Sequence, residues 1–337
     1  MPSLRTRLAR FWKDWMMQMN RIVALALLAL SGCAAPQPIA PPPAAMVASA
    51  DTIDRLRAQL AAPDETVMVV AHRGCHAGGA PENSLAAIRA CLELGVDVIE
   101  IDVALSAEGV PVLMHDATLD RMTAETGPIA DHTAAELAGL HLRAGQGGAG
   151  AALTDETLPT LQQALELAKG RMLVNLDVKG DAYAAAFAMV DELGMGRQII
   201  MKMAADADDP ALQEAAFLGK TFFMPIIRQC TENTRKGSCA PTLSQAVAGY
   251  DRYGPVAYEV TFVELAYLTE GIPAMQEKGK RIWANTLKPF HAAGLTDAKA
   301  LADPDAVWGL LIDDGVRMIQ TDNPAELIAY LRARGMR

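Results

Sequence analysis

Val96-Asp97-Val98-Ile99-Glu100-Ile101-Asp102-Val103 alternates apolar and acidic residues along its second half. On a β-strand successive side chains point to opposite faces. Glu100 and Asp102 then share one face, while Ile99, Ile101 and Val103 share the other. Acids on a face of an ordinary buried sheet are costly. They make sense where strand ends converge on a wet mouth that holds a metal ion. The device recurs downstream. In 172–179 the polar face carries Asn175, Asp177 and Lys179, opposite Leu176 and Val178. In 281–285 it carries Trp283 and Asn285, and in 318–322 Gln320 and Asp322. Upstream, the apolar run 67–70 ends at Ala71-His72-Arg73-Gly74, and a further short run ends at His115-Asp116.

The segments between these strands read as helices. Asn83 or Ser84 can cap a helix over 85–94 that stops at Gly95. Others are predicted over 161–167, 183–193 and 210–217, each followed closely by glycine. Strand then helix, repeated through about 270 residues, predicts a (β/α)8 TIM barrel with its site at the C-terminal ends of the strands. A doubly wound sheet would need a glycine-rich phosphate turn after the first strand, and Gly74-Cys75-His76-Ala77-Gly78-Gly79 is not one. Nine strand-like runs occur, near 67, 97, 111, 172, 199, 221, 257, 282 and 318. Residues 106–109 are too short for a helix, so the link to the third run reads as hairpin-like; one of the nine runs is peripheral or is not a strand.

Taken in order, these motifs resemble the glycerophosphodiester phosphodiesterases of the phospholipase C-like barrel group. The resemblance runs through 67–325 and includes Ala71-His72-Arg73-Gly74, Pro81-Glu82-Asn83-Ser84, the Glu100-Ile101-Asp102 strand and His115-Asp116. It continues through Leu119-Asp120-Arg121-Met122-Thr123, Leu158-Pro159-Thr160-Leu161, Asn175–Lys179 and Thr321-Asp322-Asn323-Pro324. It implies hydrolysis of glycerophosphodiesters to sn-glycerol 3-phosphate and an alcohol. Glycerophosphocholine and glycerophosphoethanolamine are the expected kind of substrate. Glu100, Asp102 and Asp177 correspond to metal ligands, hard oxygen donors suited to Ca2+ or Mg2+. The family more often has glutamate at the position of Asp177, which leaves the metal open. His72 and His115 correspond to an acid–base pair acting through a cyclic phosphate, with His115 preferred as base and His72 as acid. Arg73 can fork two phosphate oxygens, and Lys179 sits beside the phosphate or the metal.

Glu82, Asn83 and Trp283 are assigned to substrate contact. The alternatives are loop shaping and helix capping for Glu82 and Asn83, and packing beneath the barrel rim for Trp283. His76 reads as a rim residue, and His132, His141 and His291 as surface. Residues 117–160 form a polar insertion after the third strand, expected to overhang the site. Two other functions compete. One is phospholipase D-like action on lysophospholipid or sphingolipid head groups, for which the Gly/Ala-rich 144–152 offers little tail-binding surface. The other is a non-catalytic binding barrel, disfavoured because every expected position is filled.

The N-terminus predicts an envelope protein. The apolar run 22–30 is too short to span a bilayer and precedes Leu30-Ser31-Gly32-Cys33, which resembles a bacterial lipoprotein cleavage site. Residues 1–32 are read as a signal peptide, with Met19 as an alternative start. Cys33 is read as the lipidated residue, 33–50 as a Pro/Ala tether and 51–337 as the barrel domain. Ala34 after the cysteine points to the outer membrane of a Gram-negative cell, facing the periplasm. The whole chain carries a net charge of −10. Without residues 1–32 there remain 25 basic and 39 acidic residues, net −14, which argues against a nucleic-acid partner. An exported protein can oxidise its cysteines. Cys230 and Cys239 flank a polar loop and are expected to bridge. Cys75 and Cys91 are a weaker pair, with Cys91 read as a small buried residue on its helix.

Overall fold

The computed structural model describes residues 50–62, 65–231 and 239–337. The expected signal peptide, Cys33 and the expected tether up to residue 49 lie outside the described residues. Twelve strands are described. The first six are β1 (Met68–His72), β2 (Val98–Leu105), β3 (Pro111–Leu113), β4 (His141–Arg143), β5 (Leu153–Thr157) and β6 (Leu173–Val178). The others are β7 (Ile199–Met203), β8 (Phe222–Gln229), β9 (Cys239–Ala240), β10 (Ala257–Thr261), β11 (Arg281–Asn285) and β12 (Met318–Thr321). Eight of them pair in parallel in the order β1-β2-β6-β7-β8-β10-β11-β12, and β12 returns to β1. The chain is a closed (β/α)8 barrel.

The surplus strand run of the sequence is β3. It pairs antiparallel with the end of β2, Val103 opposite Leu113, and takes no part in closing the barrel. The insertion that follows is not simply polar. Leu119, Met122, Ile129, Leu137, Leu142 and Leu158 pack with Val112 and Met114 into a small core of their own, beside the β4–β5 hairpin. Their irregular spacing hides that core from a periodicity reading.

Local signals set the helix ends. Ser84, rather than Asn83, caps the helix Leu85–Leu94 by accepting from the Ala87 N–H, and Gly95 ends it at φ 79°. Thr160 and Gln163 form a capping box on Leu161–Ala168. The predicted helix over 210–217 stops at Gln213, and the chain continues in turns that bury Phe217.

Alternation sorts the side chains of β2 as the sequence predicts. Ile99, Ile101 and Val103 face the surrounding helices in the main core. Val98 faces inward with Met68, Val70, Leu173, Ile200, Met224, Trp283 and Met318. The helix Ala50–Ala61 plugs the N-terminal end of the barrel with Ile53, Leu56 and Leu60. The fully buried Arg281 ties it down, donating to the carbonyls of Gln59 at 2.7 Å and Thr66 at 2.8 Å. Burying a guanidinium is tolerable only because carbonyls receive it.

Both cysteine pairs are bridged, Cys75–Cys91 and Cys230–Cys239. The first departs from the sequence expectation. Cys91 is buried on its helix, and the loop after β1 folds back to bring Cys75 onto it.

Candidate active site

Strand register assembles the site. β2 and β6 align Glu100 with Asn175 and Asp102 with Asp177, while β1 sets His72 beside Glu100. Residues brought level at the C-terminal ends line a cavity of about 670 Å³, a size that suits a small molecule. His72, Arg73, Glu100, Asp102, His115, Asp177 and Lys179 all line it.

Carboxylate oxygens of Glu100, Asp102 and Asp177 lie within 4.8 Å of one another. Three acids so close, two of them almost fully buried, repel one another and lose hydration. Burial, and then the charge of Asp102, push Glu100 above the usual carboxylate range. For Asp102 burial works the other way from its partners, and Lys179 and Arg73 win, holding it low. Asp177 is likewise drawn against burial, by Lys202 and Lys179, to about 2. A cluster that contains both a reluctant acid and two firm anions fits a divalent cation on oxygen donors.

The cations beside it are tied to the same acids. Lys179 Nζ is 2.8 Å from Asp102 Oδ1 and 3.2 Å from Asp177 Oδ2. Arg73 Nε is 3.2 Å from Asp102 Oδ2, and its Nη1 donates to Glu82 at 3.0 Å. Arg73 occupies the left-handed region at φ 56°, as does Asn83 at φ 54°, a conformation uncommon outside glycine. The two are joined by an Asn83 N–H to Arg73 carbonyl bond of 2.9 Å. Next to them, a Cβ on Gly74 would stand 2.9 Å from Ala87 Cβ at φ 81°, so only glycine suits the turn.

Each histidine is oriented by an acid. His72 Nδ1 donates to Asp322 Oδ1 at 2.7 Å, and His115 Nδ1 to Asp116 Oδ1 at 2.6 Å. Nε2 is left as the nitrogen available to a ligand in the cavity. Burial opposes the cationic form of His72, but the bond to Asp322 and the charge of Glu100 outweigh it and raise its pKa. Asp322 is also buried, yet its bonds from His72 and His76 hold it far below the normal range. Arg121 grips the other acid, donating through Nε to Asp116 Oδ2 at 2.7 Å and through Nη2 to Glu82 at 2.7 Å.

Several expected contacts are not made. Glu82 and Asn83 lie behind the site and do not line the cavity. Glu82 binds Arg73 and Arg121, while Asn83 donates to Asp102 Oδ2 at 2.8 Å and accepts from its backbone N–H. They hold Arg73, Arg121 and Asp102 from behind the cavity. Trp283 is fully buried, one step below the mouth, with Nε1 bonded to Asn285 Oδ1 at 2.6 Å. It packs in the barrel interior and walls no pocket. No residue of 117–160 lines the cavity either. Among the described residues the insertion reaches the site through Arg121, through the Gly145 carbonyl, which accepts from the Glu82 N–H at 2.8 Å, and through Gln146, which donates to Asp322 at 3.1 Å.

Other residues belong to the site that the sequence reading passes over. Lys202 on β7 is buried and lies 3.4 Å from Asp177, 3.4 Å from Glu259 and 3.6 Å from Glu100. Burial disfavours its charge, but these acids hold its pKa well above normal. His76 is not a rim residue; it is buried and 3.2 Å from Asp322. His291 is not on the open surface but lines the cavity.

A model of the glycerophosphoryl diester phosphodiesterase family matches residues 72–326. Glycerophosphodiester phosphodiesterase 1 of Bos taurus is 39% identical over 132 residues, 39% of this chain and 39% of the relative. Glycerophosphodiester phosphodiesterase of Caldanaerobacter subterraneus is 39% identical over 115 residues, 33% of this chain and 45% of the relative. The chain thus spans less than half the length of these curated relatives. Among solved structures, a glycerophosphoryl diester phosphodiesterase from Parabacteroides distasonis superposes with a TM-score of 0.66 at 22% identity, over 84% of this chain and 92% of the other. An Oleispira antarctica phosphodiesterase solved with its product sn-glycerol-3-phosphate gives 0.57 at 21% identity, over 79% and 97%. At such identities these structures speak to the fold.

Proposed function

The chain belongs to the glycerophosphoryl diester phosphodiesterase family, and on that premise we propose that it hydrolyses glycerophosphodiesters to sn-glycerol 3-phosphate and an alcohol. The observation that carries this reading is the meeting, in one cavity, of two acid-oriented histidines with the Glu100–Asp102–Asp177 cluster. One imidazole must take a proton while the other gives one, and the cavity supplies both.

His115 acts as the base that removes the proton of the glycerol hydroxyl attacking phosphorus. His72, its pKa raised against burial by the bond to Asp322, protonates the departing alcohol. Water then opens the cyclic phosphate with the two roles exchanged. Arg73 and Lys179 face the non-bridging oxygens and offset their charge. Glu100, Asp102 and Asp177 would hold one divalent ion, Ca2+ or Mg2+, which would add positive charge beside the same oxygens.

Phospholipase D-like action on lysophospholipid or sphingolipid head groups is the second reading. Its support is the pair of exposed apolar residues at the mouth, Phe290 and Val263. We also place the enzyme in the cell envelope, lipid-anchored through Cys33 to the outer membrane and facing the periplasm, on the strength of the sequence around Cys33 alone. Mass spectrometry of the N-terminal peptide checks this: a free, uncleaved terminus ends the idea.

The activity is tested by sn-glycerol 3-phosphate release from glycerophosphocholine and glycerophosphoethanolamine, after chelation and again after adding calcium or magnesium. Release restored by metal supports the proposal. Release from neither diester, with lysophospholipid cleaved instead, moves the assignment to the second reading.

A further inference from the structure

Of the four permanent cations that line the cavity among the described residues, three are held by acids. Arg73 is bound to Glu82 and Asp102, Lys179 to Asp102 and Asp177, and Lys202 to Glu100, Asp177 and Glu259. Arg228, near the end of β8, lines the same cavity, and its guanidinium has no hydrogen-bond or ion-pair partner among the described residues. The acid on its side of the barrel, Glu259, is taken up by Lys202 and by a 2.9 Å bond from Asn285. Glu264, on the same rim, accepts from Gln229 and lies outside the lining.

His291 comes to the same wall. The Phe262 N–H donates to the His291 carbonyl at 3.1 Å, which draws the loop after β11 onto the end of β10. Its ring lines the cavity, edge-on to Phe290, and its Nδ1 is buried with no partner among the described residues. Burial, and then the positive charges of His72, Lys202, Lys288 and Arg228, push its pKa down to about 4. It is therefore a neutral hydrogen-bonding group in a positive field. In the ring of eight strands, β10 stands four places from β2 in either direction. β8, which carries Arg228, stands beside it three places from β2, so this wall faces the side of the mouth that holds Glu100 and Asp102.

Given the phosphodiesterase reading above, we propose that Arg228 and His291 form a second anion subsite, which receives a negatively charged substituent on the alcohol of the diester. A diester phosphate placed against Arg73 and Lys179 sends its alcohol across the cavity to this wall. There an unpaired guanidinium repels a quaternary ammonium and welcomes a second phosphate or a carboxylate. The enzyme then prefers diesters with an anionic alcohol over glycerophosphocholine.

Initial rates of the full-length protein on two substrates test this. One is glycerophosphocholine. The other is glycerophosphoglycerophosphoglycerol, whose alcohol carries a second phosphodiester. The expected result is a kcat/KM at least about tenfold higher for the doubly anionic diester, a charge-assisted bond being worth a factor of that order. Arg228→Gln should lower that ratio about tenfold through KM, Arg228→Lys should recover most of it, and added salt should shrink it. Equal kcat/KM values for the wild type, or equal slowing of both substrates in Arg228→Gln, overturn the subsite and leave the diesterase reading in place. Release from neither substrate removes the diesterase reading and the subsite with it.

Discussion

The inside of the barrel has a floor and a roof that differ by two residues along the same strands. Val98, Leu173, Ile200, Ala257, Trp283 and Met318 make the floor; Glu100, Asn175, Lys202, Glu259, Asn285 and Gln320 stand next above them. Two residues of strand are about 6.6 Å, so the change from apolar packing to ionised chemistry is abrupt. Floor side chains mainly fill volume, and their losses scale with the volume removed; the Trp283 indole also donates to Asn285 above it. Roof side chains are buried almost as deeply, and their polar atoms are met largely by one another, by neighbouring charges such as Asp177, by backbone groups and by the Trp283 indole below. Removing one leaves its neighbours unpaired, and an orphaned buried charge costs more than the pair was worth. A substitution in the floor should therefore be felt as stability, and one in the roof as chemistry.

The sharpest test of that division is a pair of truncations. His115→Ala leaves the floor untouched and should lower kcat by about 10²–10⁴-fold, the usual contribution of a general acid or base, with the circular dichroism spectrum and melting transition preserved. Trp283→Ala should do the converse. Emptying a fully buried indole costs about 3–5 kcal/mol, read as a lower denaturant midpoint, while the folded fraction loses far less turnover than His115→Ala. A Trp283 variant of wild-type stability but dead in turnover would place the indole in the site after all.

A smaller effect probes the acids of the roof. A ligand bound only by the folded state at about a hundred times its Kd adds about 2.7 kcal/mol. Calcium or magnesium should raise the melting temperature of the wild type accordingly, and Asp102→Asn should abolish the rise. An undiminished rise in that variant would move the metal away from Glu100, Asp102 and Asp177.

The division also explains what the sequence reveals. Glu100 with Asp102, and Asn175 with Asp177 and Lys179, repeat polar residues at a period of two, which is visible without coordinates. Lys202 and Glu259 use the same device once each, in Ile200-Met201-Lys202 and Ala257-Tyr258-Glu259. One charge in an apolar strand has no period, so both pass for incidental. Trp283 shows the opposite limit. Its face is legible from Asn285 two residues on, but depth along the barrel axis is not, and depth decides between pocket and floor. Cys75–Cys91 and His291 depend on where loops return, which no local pattern encodes. The barrel itself is legible because eight strands repeat one signal, and the ninth run betrays itself by its short link.

The subtlest expectation concerns Asp322, which does not line the cavity but bonds to His72 and His76. His72 is held above its ordinary pKa, burial being outweighed by the Asp322 bond and the charge of Glu100. If protonated His72 is the acid that releases the alcohol, activity is lost as pH rises through that raised pKa, so His72 sets the alkaline limb of the rate profile. Asp322→Asn keeps the size of the side chain and removes its charge. The His72 pKa then falls, the cation is lost at a lower pH, and the alkaline limb moves toward acid. Near the acid end of the profile, where His72 is protonated in both proteins, the variant should retain much of its rate. At neutral pH and above the loss should grow with pH. A uniform loss at every pH would mean that Asp322 holds the ring in place without tuning its proton. A shift of the acid limb to lower pH, with the alkaline limb unmoved, would mean that His72 works as the base and His115 as the acid, reversing the order proposed here while leaving the roof as the seat of the chemistry.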